Sequence, residues 1–126
     1  MAQSIKEISL SNGLTVTFFN HTRQYFGDFH LVKMEIKCKV PVLSRYFADQ
    51  EAWAEARSLL GEEIVYRRMA EQMGVPSIEI CTVLDGLMVN FLENSLPYFS
   101  SALFPERMLL AEINKIKKKK VRTRYP

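Results

Sequence analysis

Nine residues, Val32 to Val40, constrain this chain more than any others. Val32, Met34, Ile36, Cys38 and Val40 alternate with Lys33, Glu35, Lys37 and Lys39. A strict period of two puts the apolar set on one face only if the backbone is extended. The segment therefore reads as a strand with one buried and one wet face, typical of an antiparallel sheet. Pro41 ends it, because proline cannot donate to a ladder.

Two shorter runs precede it. Ile8 and Leu10 alternate with Glu7 and Ser9, and Leu14, Val16 and Phe18 alternate with Thr15 and Thr17. A two-residue Asn12-Gly13 turn would set Leu10 against Thr15, an apolar residue against a polar one. A three-residue Ser11-Asn12-Gly13 loop instead sets Leu10 against Leu14 and Ile8 against Val16, with all four on one face. The three-residue loop is expected, with Gly13 supplying the positive φ. The connection from Asn20 to Asp28 is longer than a tight hairpin and carries Tyr25 and Phe26.

Beyond Pro41 the period changes. Asp49 suits the N-cap of a short helix with Ala52, Trp53, Ala56, Leu59 and Leu60 as its apolar stripe, stopped by Gly61. Pro105 suits the first turn of another, with Leu109, Ile113 and Ile116 inward and the lysines beginning where the helix should finish. Two segments stay ambiguous. Residues 62–73 have helical composition, with Val65, Met69 and Met73 four apart, yet Ile64-Val65-Tyr66 could lead a strand. Residues 78–92 carry a hairpin signal at Asp85-Gly86. They also carry a helical face of Ile78, Cys81, Leu84, Met88, Phe91 and Ser95 behind Pro76-Ser77.

The string Phe91-Leu-Glu-Asn-Ser-Leu-Pro-Tyr-Phe-Ser-Ser101, followed by Phe104-Pro-Glu-Arg107, resembles a stretch of a family of small bacterial proteins of unassigned function. Asn12-Gly-Leu-Thr15 and Gly27-Asp28 are similar in the same way. The likeness spans about half the chain. It implies a strand after Gly61 and a helix before the string, and it implies no activity.

The expected fold class is α+β, an N-terminal antiparallel β-meander of three to four strands packed against two to three α-helices. Residues 1–114 are expected to form a single compact domain, with residues 115–126 a basic C-terminal tail continuing the last helix. A chain of 126 residues can bury a self-sufficient core. No apolar run approaches the ~20 residues of a membrane span. Cys38 and Cys81, far apart in apolar surroundings and without a secretory signal, read as free buried thiols in a reducing cytoplasm.

The chemistry is sparse. Gly13, Gly27, Gly61, Gly74 and Gly86 are isolated, so no glycine-rich phosphate loop exists, and no Gly-x-Ser-x-Gly elbow is present. His21 and His30 have no partner at metal-ligand spacing and read as structural or surface residues. Cys38 and Cys81 read as core. Glu62-Glu63 reads as a solvated element start. No catalytic, cofactor or metal residue is expected. The aromatics Tyr25, Phe26, Phe29, Tyr46, Phe47, Tyr98, Phe99 and Phe104 occupy turns and element ends, where they cap a core or form a docking patch.

Charge is the remaining signal. Residues 115–126 hold seven of the seventeen basic side chains and no acid, leaving ten basic against fourteen acidic in residues 1–114. A body of net −4 thus carries a tail of +7. The candidate partner-binding residues are Lys115, Lys117, Lys118, Lys119, Lys120, Arg122 and Arg124, and the partner an acidic protein or nucleic acid met by electrostatics. Contact with the body's own acids competes with it. The expected function is a non-enzymatic interaction or regulatory module. The alternatives are a small ligand-binding domain or enzyme with a pocket between sheet and helices, and a weak non-specific nucleic-acid binder.

Overall fold

The computed structural model describes residues 3–124, and side-chain environments for residues 4–119. Its elements run β1 (Gln3–Ser9), β2 (Thr15–Asn20), β3 (Arg23–Phe26), β4 (Phe29–Pro41), α1 (Gln50–Leu60), β5 (Glu63–Pro76), α2 (Ile80–Asn94), α3 (Leu96–Ser100) and α4 (Phe104–Arg124). The α+β class and the N-terminal meander are as expected, with five antiparallel strands and four helices. The chain divides into two compact units, Met1–Cys38 with Arg67–Ser101, and Lys39–Tyr66 with Ala102–Pro126. The long strands β4 and β5 contribute to both.

In the first unit, Ile8 opposes Val16 and Ser9 opposes Thr15. Leu10 N–H donates to Leu14 O at 2.7 Å, so the loop is the three-residue one, with Gly13 at φ 87°. Leu10, Leu14, Val16 and Phe18 are buried and Ile8 half-buried, the outcome that the one-face register requires. The connection between Asn20 and Asp28 holds a strand the alternation did not reveal. β2 and β3 form one arm along β4 in a single register, from Val16 opposite Cys38 to Gln24 opposite His30. Only the pair Gly27-Asp28 turns the chain, between Phe26 and Phe29.

β5 takes the other side of β4. Residues 62–73, compatible with a helix by composition, are thus strand, as the resemblance implied. Residues 78–92 are helical, the first two in a 3-10 turn (Ser77–Glu79) and the rest in α2. The apolar residues decide it. Val83, Leu84, Leu87, Met88, Phe91 and Leu92 recur at helical spacing and are the half-buried or buried ones, whereas Asp85, Gly86 and Asn90 are exposed. A hairpin would have turned half of that set outward.

The core of this unit lies under the apolar face of β2 and β4. Val16, Phe18, Val32, Met34, Ile36 and Cys38 have no exposed surface, and Phe91 and Phe99 of α2 and α3 cover them. The Phe18 ring meets Phe91 edge-on at 5.4 Å, and Phe91 meets Phe99 at 5.2 Å. Asn12 Nδ2 donates to the Phe99 and Ser101 carbonyls at 2.7 and 2.9 Å, and Ser11 Oγ to the Ser100 carbonyl at 3.2 Å. Asp28 Oδ2 accepts from Ser77 N–H. Of the motifs that carry the resemblance, the Asn12 loop thus meets the end of the Phe91–Ser101 string, and the Gly27-Asp28 turn meets Ser77 instead. The loop before Leu14 closes the carbonyl end of α3, and the Gly27-Asp28 turn holds the entry to α2.

In the second unit, Asp49 caps α1 by accepting from Ala52 N–H at 2.8 Å, and Gly61 ends it. Trp53 Nε1 donates to Val42 O at 3.0 Å, satisfying the one polar atom of a large ring. Ala56, Phe104, Leu109 and Ile113 are buried, with Tyr66 edge-on to Phe104 at 6.1 Å. Pro105 is buried in the first turn of α4. The helix does not finish where the lysines begin; it runs through them to Arg124.

Candidate functional site

Four of the seven candidate basic residues have described side chains: Lys115, Lys117, Lys118 and Lys119, all exposed. Lys120, Arg122 and Arg124 belong to the helical backbone of α4, and their side chains, like Tyr125 and Pro126 altogether, lie outside the described residues. Lys115 pairs with Glu112 on the same helix at 3.2 Å. Lys117 reaches Glu55 of α1 at 2.9 Å. The competing contact with the body therefore exists, and it engages Lys117. Both partners of that pair are more than half exposed, so it stabilises by roughly 0–1 kcal/mol and screens with salt. Beside these lysines, Ala111, Asn114, Lys115, Lys117 and Lys118 line an open surface depression of about 580 Å³. α4 thus carries closely spaced cations on one helix beside an open, shallow surface.

A second charged group sits on the sheet. The face of β4 expected to be wet is partly covered. Glu35 is only 9% exposed and Leu31 8%. His21 Nε2 approaches Glu35 Oε1 at 2.8 Å, and Lys37 Nζ lies 3.6 Å from the same oxygen and 5.0 Å over the Phe19 ring. The register explains the grouping. Phe19 opposes Glu35, so His21 lies diagonally from Glu35 across the β2–β4 pair, and Lys37 is the same-face neighbour of Glu35 two residues along β4. Burial pushes the Glu35 carboxyl up, but the His21 hydrogen bond and the charges of Lys37, His21 and Arg67 outweigh it and hold the carboxyl below its ordinary value of 4.5. A histidine–carboxylate pair can serve acid–base chemistry. Here the pair sits at the middle of β4, on a sheet face that is partly covered.

Because the fold lowers this pKa, the ionised form adds stability that is fully present above the ordinary value. It is lost as pH falls through the still lower folded value. Glu35→Gln should therefore cost about 1–2 kcal/mol at pH 7. The gap from the unaltered protein should narrow below about pH 4, read by urea unfolding at both pH values.

The cysteines correct the sequence reading. Both are free, and Cys38 is buried as expected, but Cys81 is exposed on the first turn of α2. The first turn of the expected helical face is not buried: Ile78 is 89% exposed and Cys81 exposed, and of that face only Phe91 is fully covered. Burial raises the Cys38 thiol to about 11, keeping it protonated and unreactive at neutral pH. A thiol reagent at pH 7.5 should therefore modify Cys81 rapidly and Cys38 only after denaturation. Mass spectrometry of the labelled peptides checks this.

His30 Nδ1 lies 3.1 Å from Asp28 O and 3.3 Å from Val75 O, a structural position at the sheet end. The aromatics divide. Phe99 and Phe104 are core, Tyr46 and Phe47 half-buried, and Tyr25, Phe26, Phe29 and Tyr98 exposed. Among the described residues no group of three or more His, Cys, Asp and Glu could hold a metal ion, and no helix is long and apolar enough to cross a membrane. No protein-family pattern, curated protein or solved structure matches the chain.

Sequence reasoning reached the basic helix and missed the Glu35 group. Its signal is diagonal pairing across β2 and β4, which is visible only once the register is known.

Proposed function

We propose that this chain is a non-enzymatic interaction module that engages an acidic partner through the basic end of α4. The observation that carries the reading is the continuation of α4 through the lysine run to Arg124, which presents the charges on an ordered helix. Residues 1–114 are net −4, whereas residues 115–126 carry seven cations and no acid, so the densest attraction to a polyanion lies in residues 115–126. The helix carries cations without stacking aromatics among residues 115–124, which favours recognition by charge over recognition of bases.

Removing residues 115–126 tests it. The truncated chain should keep the circular dichroism of the remaining fold, losing only the helical signal of residues 115–124, and should lose association with a fluorescent DNA duplex and with polyglutamate, both bound by the full chain at low salt. Retention of the duplex alone would place a nucleic-acid surface elsewhere. Equal retention of both would remove the reading.

A further inference from the structure

β5 is a sheet edge. It pairs with β4 on one side, and no strand among the described residues pairs with the other. Long exposed edges are normally blunted by bulges, prolines or lysines. The opposite edge, β1, follows this rule, with a register shift between Ser4 and Lys6. Along β5, Val65 to Met73 contains no proline, glycine or lysine. The first break is Gly74, whose φ of 71° ends regular pairing, and Pro76 follows. Nine consecutive residues are thus left able to pair.

Their side chains select the partner. Arg68 Nη1 donates to Ser95 Oγ, so the even positions look toward α2 and α3. Val65, Arg67, Met69, Glu71 and Met73 occupy the other face, and all are exposed. Two copies of an edge strand related by a two-fold axis normal to the sheet pair antiparallel and keep their faces. With Met69 on that axis, Met69 opposes the partner's Met69. Arg67 then opposes the partner's Glu71, Glu71 opposes the partner's Arg67, and Val65 opposes the partner's Met73. Both charges are matched twice, and the apolar residues meet apolar residues. Shifting the axis to Arg67, Arg68 or Glu71 sets a charge against its own copy. Shifting it to Ala70 leaves Arg67 and Glu71 facing methionines. One register is complementary and its neighbours are not.

We infer that the chain forms a symmetric homodimer by antiparallel pairing of β5 with β5, with Met69 at the two-fold axis. A nine-residue ladder with two ion pairs is a small interface, so the dimer is reversible, with a Kd in the micromolar range.

Sedimentation equilibrium of the full chain tests it. The unaltered protein should pass from monomer to dimer between about 1 and 100 μM. Arg67→Glu and Glu71→Arg should each weaken the dimer about tenfold or more, since both pairs turn from attractive to repulsive. An equimolar mixture of the two variants should associate again, because each unlike pair is restored. Circular dichroism verifies that the variants are folded. Should Arg67→Glu disturb the fold through its neighbour Glu35, Met69→Lys takes its place: two ammonium groups on the axis must give a monomer. An unaltered chain monomeric throughout, variants that dimerise undiminished, or a mixture that stays monomeric would each overturn the inference.

Discussion

Phe91→Ala should lower the stability of the fold by about 3–5 kcal/mol, the range for truncating a large buried aromatic. Phe91 is 4% exposed and stands between Phe18 and Phe99, in ring contact with both. Its removal empties the space over the fully buried Phe18. The two ring contacts, one edge-on and one tilted, add about 0.5–1.5 kcal/mol each beyond the area they bury. The neighbours are ill placed to collapse into the space, because Phe18 is fixed on β2 and Phe99 sits in the short α3 whose carbonyl end Asn12 holds. Urea unfolding measures the loss. Val89→Ala on the same helix is the control: it is 49% exposed and should change stability by less than about 1 kcal/mol. Similar losses for the two substitutions would mean that α2 does not cover the sheet through Phe91.

What could be read from the residues follows from where period and chemistry coincide. The alternation of Val32 to Val40 and the matched faces of Leu10 and Leu14 needed nothing beyond the local pattern, and the structure has both. The caps at Asp49 and Gly61 were equally legible, because a helix end is a local hydrogen-bonding problem. Residues 62–73 were not. Their intrinsic preference is weak, and pairing with β4 overrides it. β3 was hidden for a related reason, since Arg23, Gln24, Tyr25 and Phe26 are all exposed and show no alternation. Glu35 was read as wet because parity alone separates two faces without saying whether the second is covered. Lys37 is its same-face neighbour two residues along β4, and His21 reaches it diagonally, a relation fixed by the register between β2 and β4. The basic helix was legible as charge, while its course to Arg124 depended on helix continuing beyond Ile116, where the regular inner stripe of Leu109, Ile113 and Ile116 stops.

The largest functional effect should come from neutralising the basic end of α4 without shortening it. The variant K118Q/K119Q/K120Q/R122Q removes four of the seven cations and takes the chain from net +3 to net −1. It leaves Lys115 and Lys117 with Glu112 and Glu55, so the pairs that tie the helix to itself and to α1 persist. Glutamine is a good helix former, and the helix should survive. Duplex affinity at about 50 mM salt should fall more than tenfold, since each neutralised cation removes one released counterion and a share of the slope.

The most direct measurement is the salt dependence of duplex binding by the full chain and by this variant, followed by fluorescence anisotropy. For the full chain, log K should fall linearly with log salt concentration, with a slope of about −4 to −6, and the variant's slope should be shallower by about 3 to 4. No binding by the full chain at low salt, or equal slopes for the two proteins, would contradict an acidic partner held by the basic end of α4.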